Sequence, residues 1–182
     1  MRQDSDMKIQ NITGQSTEQK VQECIKSIGL ETEKPKRDIG VDLEVWHPAN
    51  PEKKVYVQIK GRGKIQKNKR YRWFQIRTTK KQREEAVKAG LSVSDAWRKK
   101  VDICHFFVLV SEIHEEYWVF PTAIIHEIVN INKSKYGNRE DNISGKQTEM
   151  DLDIEYGGKL LTEIYKSYRD NFRLIKEKLN NT

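Results

Sequence analysis

The sequence is poor in the residues that build disulfide frameworks and metal-binding clusters. Its two cysteines, Cys24 and Cys104, lie far apart and form no Cys-x-x-Cys pair. A structural zinc site and a disulfide framework are therefore not expected. The four histidines are scattered without the spacing of metal ligands: His47, His105, His114 and His126. Because His105 lies in an apolar segment, we expect it to be a hydrogen-bonded histidine of the core.

Long hydrophobic runs and nucleotide-binding motifs are also absent. No apolar stretch reaches the roughly 18 residues that span a bilayer, and the polar N-terminus lacks the core of a signal peptide. The run Gly-Arg-Gly-Lys at 61–64 is too short for a Walker loop, and no serine lies in a nucleophile elbow. A chain of 182 residues is long enough for one core but not for two ordinary domains. We expect one domain in a soluble, cytoplasmic, prokaryotic protein.

Acidic residues are missing from one long stretch of this basic chain, whose net charge is +7. Between Lys53 and Arg83 there are thirteen Lys or Arg residues and no Asp or Glu. Basic residues mixed with glycine and aromatic residues favour contacts with phosphates. The candidate backbone contacts are Arg62, Lys64, Lys67, Lys69, Arg70 and Arg72. The alternative is a solvated loop that binds no ligand.

Two segments, 41–45 and 55–60, alternate apolar and polar residues with the period of a half-buried strand. The intervening His-Pro-Ala-Asn-Pro at 47–51 favours a turn, so we predict a hairpin. One face of that hairpin would carry Asp42, Gln58 and Lys60. A carboxylate, an amide oxygen and an ammonium can together hold a hard divalent cation and stabilise a phosphate under attack. The sequence therefore indicates a metal-dependent nuclease.

Gly40-Val41-Asp42 at the start of one strand and Gln58-x-Lys60 in the next resemble the motif of the PD-(D/E)XK nuclease superfamily. That superfamily includes most type II restriction endonucleases, archaeal Holliday-junction resolvases and repair nucleases. Its second strand usually reads acid-x-Lys, and Gln58 stands in the place of the acid. Glutamine keeps a carbonyl oxygen for a metal but lacks the charge. The resemblance covers about residues 15–130 and leaves 131–182 as a family-specific C-terminal addition within a single nuclease domain.

The resemblance implies a role for each candidate site residue. Asp42 would be the central ligand of Mg²⁺, with the side-chain oxygen of Gln58 and the backbone carbonyl of Ile59 as further ligands. Lys60 would lie near the scissile phosphate and offset negative charge in the transition state. Glu18 would complete the ligand set through water, from a helix that precedes the Asp42 strand. As an alternative, Glu18 is a first-turn acid favoured by the helix dipole.

The remaining pattern predicts an α/β fold with a restriction-endonuclease-like core, a central mixed β-sheet flanked by helices, and a C-terminal helical addition. The predicted elements are a helix at about 18–27 ended by Gly29, a strand at 73–77, a helix at 79–88 ended by Gly90, a buried strand at 101–111, a polar turn at 115–116, a strand at 117–120, a helix from Pro121 to about 130, a surface loop at 133–147 and a long helix at 159–179. That last helix either completes the core or forms a dimer interface.

The first function expected from the resemblance is that of a type II restriction endonuclease. Such an enzyme would be a homodimer that cuts specific double-stranded DNA with Mg²⁺, because two strand cuts need two sites. The second is a structure-specific nuclease, either a junction resolvase or a repair enzyme, and a homing endonuclease on the same fold is a related option. The third is a catalytically inactive DNA-binding module, for which the replacement of an acid by Gln58 is the argument.

Overall fold

Strands and helices make up most of the chain that the computed structural model describes, which is residues 17–36, 40–62, 72–136 and 147–181. In chain order the elements are α1 (residues 17–27), β1 (Glu31–Glu33), β2 (Leu43–His47), β3 (Asn50–Arg62), β4 (Trp73–Arg77), α2 (Lys80–Lys88), α3 (Val93–Asp102), β5 (Phe106–Ser111), β6 (Glu116–Pro121), α4 (Thr122–Tyr136), β7 (Gln147–Asp151), β8 (Glu155–Tyr156), β9 (Lys159–Leu160), α5 (Leu161–Ile164) and α6 (Arg173–Asn181). No helix within these ranges has the length and hydrophobicity of a bilayer span.

A five-stranded mixed sheet forms the centre of the fold, with the strand order β1-β2-β3-β5-β6. Strands β3 and β5 are parallel, and the other neighbouring pairs are antiparallel. Every residue of β5 is buried, as is typical of a central strand covered on both faces. The predicted α/β fold with a central mixed sheet is confirmed.

Helices cover both faces of this sheet and create two hydrophobic cores. On one face the core includes Trp97 of α3 and Ile128 of α4. On the other face Ile25 of α1 and Leu179 of α6 pack against the strands. The terminal helix α6 therefore completes the core, which was one of the two predicted roles for the C-terminal segment.

The predicted hairpin is confirmed in β2 and β3, which pair with Leu43 opposite Val57. Apolar side chains on alternate positions of β3 join the core under α1 and α6, among them Val57 and Ile59. Tyr56 packs against the opposite core. Val41 was predicted as the first residue of this strand, but β2 begins only at Leu43. Val41 instead joins the core against which Tyr56 packs.

The strand predicted at 73–77 forms, but it lies outside the central sheet. It pairs with β7 as a separate antiparallel ribbon, with Phe74 opposite Met150. The loop predicted at 133–147 is therefore wrong at both ends. Helix α4 starts after Pro121 and continues past residue 130 to Tyr136, and β7 begins at Gln147. Residues 137–146 lie outside the described part of the chain.

The strand predicted at 101–111 is too long, because its first residues belong to a helix that the sequence analysis did not predict. Ser92 caps α3, since its side chain accepts a hydrogen bond from the Asp95 N–H while Asp95 accepts one from the Ser92 N–H. Val101 belongs to α3 and is fully buried, and β5 starts only at Phe106. Glu116, predicted in a turn, is the first residue of β6.

The long helix predicted at 159–179 is replaced by short elements. Strands β8 and β9 form a hairpin around Gly157 and Gly158, which both have positive φ, and α5 and a 3₁₀ turn at Lys166–Tyr168 follow. Asp170 then adopts a φ of 54° and exchanges hydrogen bonds with the backbone of Tyr117. These tertiary contacts break the helix before α6.

Helix α1 approaches β3 very closely at Gly61. A Cβ atom on Gly61 would lie 3.1 Å from both Cγ2 and Oγ1 of Thr17. Thr17 is a buried residue of α1, not its N-terminal cap, and its hydroxyl donates to the Glu112 carboxylate at 3.0 Å. The glycine therefore lets the first turn of α1 pack directly on the end of β3.

Arg72, one of the predicted phosphate contacts, forms an ion-pair network within the protein. Its Nε and Nη2 donate to the buried carboxylate of Glu116 at 2.7 and 3.0 Å, and its Nη1 donates to Asp153 at 2.9 Å. Arg169 also lies 3.3 Å from Glu116. Burial alone would raise the pKa of Glu116, but the hydrogen bonds and charge of Arg72 outweigh burial and lower that pKa. Arg72 thus joins the β4–β7 ribbon to the central sheet.

Arg72→Met should destabilise the protein by about 3 kcal/mol at pH 7, because it removes the main partner of a buried carboxylate. The lowered pKa of Glu116 means that this stabilisation is present above its ordinary value of 4.5 and is lost as the pH falls through the lowered pKa. Urea unfolding as a function of pH should therefore show the two proteins converging below pH 4.5. Arg98→Met on the exposed face of α3 is the control. A stability difference between the parent and Arg72→Met that persists at low pH would contradict a role for the charge of Glu116.

Gly61→Ala should lower the free energy of unfolding by about 1–3 kcal/mol, because the new methyl group is overpacked against Thr17. Thr17→Ala removes both crowding atoms, so the same glycine substitution should cost much less in that background. A double-mutant cycle measured by chemical denaturation tests this coupling. Additive effects would show that α1 does not depend on the close approach at Gly61.

Candidate active site

Asp42 is fixed at the start of β2 by backbone hydrogen bonds to β3. Its Oδ2 accepts a hydrogen bond of 2.6 Å from the Ile59 N–H, and its own N–H donates to the Val57 carbonyl at 3.0 Å. A carboxylate that accepts from the backbone of the neighbouring strand has little rotational freedom. The hairpin therefore presents this acid in one orientation.

The charge of Asp42 is only partly compensated. Burial raises its pKa above the ordinary value, and the negative charge of Glu18 acts in the same direction. The ammonium groups of Lys60 and Lys34 and the N–H of Ile59 act in the opposite direction but are outweighed. A buried carboxylate with too little positive charge around it is a favourable place for a cation.

Gln58 is a buried polar residue with an unsatisfied oxygen. Its side chain is only 3% exposed, and among the described residues no donor forms a hydrogen bond with its Oε1. Leaving a buried carbonyl oxygen without a partner costs free energy, so such an atom calls for an explanation. A cation would satisfy this oxygen. The neighbouring residues of β3, Val57 and Ile59, face the core under α1.

Lys60 lies two residues after Gln58 and is half-buried beside the same group of side chains. Its charge lowers the pKa of both Asp42 and Cys104, although burial raises each of them by more. These effects show that Asp42, Lys60 and Cys104 are close together. Of the three residues predicted to share one face of the hairpin, Asp42 and Lys60 are thus close together, and Gln58 lies two positions before Lys60 on β3.

Glu18 lies in the first turn of α1, where the close approach of Thr17 to Gly61 holds the helix against β3. Its carboxylate forms a 2.5 Å ion pair with Lys34, which follows β1, and this hydrogen bond raises the pKa of Lys34. Because β1 was not predicted, the sequence analysis did not identify Lys34. Glu23, further along the same helix, is exposed.

Cys104 is a second residue that the sequence analysis did not place at the site. Its thiol donates to the Gly40 carbonyl at 3.7 Å, just before Asp42. Burial, and next the charge of Asp42, raise its pKa to about 12. The thiol therefore stays neutral at physiological pH and forms part of the wall beside Asp42. His105, the next residue, accepts a hydrogen bond from the Tyr56 N–H at 3.0 Å, and burial lowers its pKa.

These donors fit a hard divalent cation better than a transition metal. Nowhere in the described ranges do three or more His, Cys, Asp or Glu side chains form a possible metal cluster. Asp42 and Gln58 offer oxygen atoms, and the Ile59 peptide lies beside the Asp42 carboxylate. A ligand set of a few protein oxygens completed by several waters suits Mg²⁺.

Glu44, the next acid along the chain after Asp42, forms ion pairs away from the candidate site. Its carboxylate forms a 2.5 Å ion pair with Lys54, which also contacts Glu33 at 3.1 Å. It therefore acts as a surface ion-pair partner at the far end of the hairpin.

Most of the predicted phosphate contacts lie outside the described residues, namely Lys64, Lys67, Lys69 and Arg70. Arg62 is described, and its guanidinium stacks over the Trp73 ring with 4.9 Å to the ring centroid. The Arg62 carbonyl accepts a hydrogen bond from the Glu112 N–H at 3.0 Å. The basic segment therefore leaves the sheet directly beside Lys60.

Comparison with known proteins gives a similarity of fold. No protein-family model matches the chain, and no curated protein sequence matches it. Among solved structures, the chain is similar to a bacterial homing endonuclease, I-Ssp6803I, with a TM-score of 0.50 and 17% identity. The match covers 94% of each chain, so it extends beyond residues 15–130 into the C-terminal segment. The chain shares the fold of this nuclease.

Proposed function

We propose that the protein is a Mg²⁺-dependent endonuclease that hydrolyses phosphodiester bonds in double-stranded DNA. The observation that carries this proposal is the unsatisfied, buried oxygen of Gln58, two residues before Lys60 on β3, with the partly buried carboxylate of Asp42 close to Lys60. The fold similarity to a homing endonuclease supports the same class of activity.

Each residue has a role that follows from its chemistry. Asp42 and Gln58 would hold the cation with oxygen atoms, assisted by the carbonyl of Ile59. The cation, when bound, neutralises phosphate charge and lowers the pKa of a bound water. Lys60 would donate to the phosphate and offset the charge that develops during attack. Glu18 would orient a water molecule from the N-terminal turn of α1, and Lys34 would hold its carboxylate in place.

Two kinds of site-specific endonuclease fit this arrangement. A type II restriction endonuclease is the first, and we propose a homodimer because cutting both strands needs two sites. A homing endonuclease is the second, and the similarity to I-Ssp6803I favours it. The frequency of cutting distinguishes them, because short recognition sites occur often in a phage genome and long ones rarely.

The decisive experiment incubates the purified protein with phage DNA and with its own host DNA, with Mg²⁺ or with EDTA. Discrete fragments that require Mg²⁺ would establish site-specific cleavage, and sequencing of their ends would give the site. Many fragments would favour a restriction enzyme and few would favour a homing enzyme. Intact linear and branched DNA under all conditions, with binding retained, would show an inactive DNA-binding module.

Asp42→Ala should abolish cleavage, and Lys60→Ala should reduce its rate by at least about 100-fold, since removal of one preorganised electrostatic group typically costs that much. The matched controls are Glu44→Ala and Lys54→Ala, which remove an acid and a lysine from the same two strands. Both controls should cleave at the parental rate in a single-turnover assay. Retained specific cleavage by Asp42→Ala would contradict the proposed role of Asp42 as the central metal ligand.

Gln58→Leu should change stability and activity in opposite directions. Removal of an unsatisfied buried amide should raise the free energy of unfolding in EDTA by about 1 kcal/mol, while loss of the oxygen should abolish the stabilisation that Mg²⁺ gives. Gln58→Glu should restore Mg²⁺ binding, with a lower Kd than the parent. Thermal unfolding with and without Mg²⁺ measures both effects. Full activity in Gln58→Leu would exclude Gln58 as a ligand.

A further inference from the structure

The β4–β7 ribbon is a two-stranded element held on the molecule by one of its faces. Phe74, Ile76 and Met150 from that face are buried in the core with α3 and α4. The Trp97 indole also donates to the Ile76 carbonyl at 3.2 Å. A two-stranded ribbon is marginal alone, so this packing is what fixes its position. Among the described residues, the alternate positions of β4, Trp73, Gln75 and Arg77, are not members of that core.

The outer face of the ribbon carries an ordered polar pair. Arg77 is exposed, and its Nε and Nη2 donate to the Gln75 Oε1 at 3.1 and 2.5 Å. Because this oxygen accepts, the amide nitrogen of Gln75 is the donor end of the side chain. Glu149 lies directly opposite Gln75 in the register and adds an acceptor to the same face. Donors and an acceptor are thus arranged side by side.

This face lies next to the candidate active site. Trp73, at the start of β4, is stacked under Arg62, which lies two residues after Lys60. At the other end of the strand, Lys100 donates to the Arg77 carbonyl. The Cε of Lys100 lies 4.0 Å from where a Cβ on Gly40 would be, and Gly40 lies two residues before Asp42. A DNA duplex with a phosphate at Asp42 would therefore pass the ribbon.

We propose, on the basis of the endonuclease function proposed above, that the β4–β7 ribbon enters the major groove of duplex DNA and that Gln75 and Arg77 read base edges there. The major groove is about 12 Å wide and admits a two-stranded ribbon. Arg pairs with the O6 and N7 acceptors of guanine, and Gln pairs with adenine. The net charge of +7 supplies long-range attraction to the duplex.

The acid on the ribbon distinguishes base reading from simple phosphate binding. Glu149 faces the same side as Gln75, directly opposite it in the register. A carboxylate can accept a hydrogen bond from the amino group of cytosine in the major groove, whereas it has no favourable contact with a phosphate. A mixed donor and acceptor face therefore suits bases better than it suits phosphates.

The contact between Gln75 and Arg77 also predicts where specificity is read. Their functional groups are hydrogen-bonded to each other, at 3.1 Å from Nε to Oε1, and successive bases on one strand are spaced by about 3.4 Å. The two side chains therefore reach the same base pair or two adjacent ones. Substitution of either residue should therefore relax sequence preference only at those one or two base pairs.

The test is a binding selection from a randomised duplex library in EDTA, which withholds the divalent cation so that binding is read without cleavage. The parent is compared with Gln75→Ala, Arg77→Ala and Arg77→Lys, and Lys81→Ala on exposed α2 is the control. Discrimination should fall by about 5- to 150-fold at one or two adjacent positions in the ribbon variants. Arg77→Lys keeps the charge but loses the planar fork, so it should also relax specificity.

Four other outcomes overturn the inference in distinguishable ways. Parental sequence preference in all ribbon variants would exclude base reading by the ribbon and leave the endonuclease proposal intact. A uniform loss of affinity across all sequences would assign the ribbon to phosphate contacts. Unchanged preference with a changed oligomeric state, measured by sedimentation, would make this face an interface between copies. A parent that binds no DNA would overturn the endonuclease proposal together with the ribbon inference.

Discussion

The hydrogen bond from the Ile59 N–H to the Asp42 carboxylate is the contact around which the candidate site is built. It ties the chain just before β2 to Ile59 of β3. The two-residue period of the strand places Gln58 and Lys60 on one face, and the charge of Lys60 acts on Asp42. Gly61 follows and admits the first turn of α1, so that Glu18 also reaches this group. One hairpin and one helix contact thus determine the geometry.

The same arrangement is unfavourable for the protein without a ligand. A carboxylate whose pKa is raised by burial and an amide oxygen without a partner are both costs to the folded state. The two hydrophobic cores offset these costs, since the strands around Gln58 are packed on both faces. Local conflict of this kind within a well-packed sheet is the usual signature of a functional site.

Short-range signals in the sequence predicted the hairpin, the strand at 73–77 and helix α2, because strand alternation and the Thr79 capping box act over a few residues. Long-range contacts were not predictable in this way. The burial of Val101 looks the same in a helix as in a strand, so α3 was taken for part of β5. Likewise, only the folded chain shows that Arg72 lies beside Glu116 and that Lys34 lies beside Glu18.

The segment between Arg62 and Arg72 begins and ends at positions that the rest of the fold holds firmly. Arg62 is fixed by Trp73 and by the Glu112 N–H, and Arg72 is fixed by Glu116 and Asp153. The distance between these two anchors does not depend on the residues between them. Because the entropy of closing a loop grows only slowly with its length, evolution can lengthen, shorten or replace this segment while the candidate site and the cores stay unchanged.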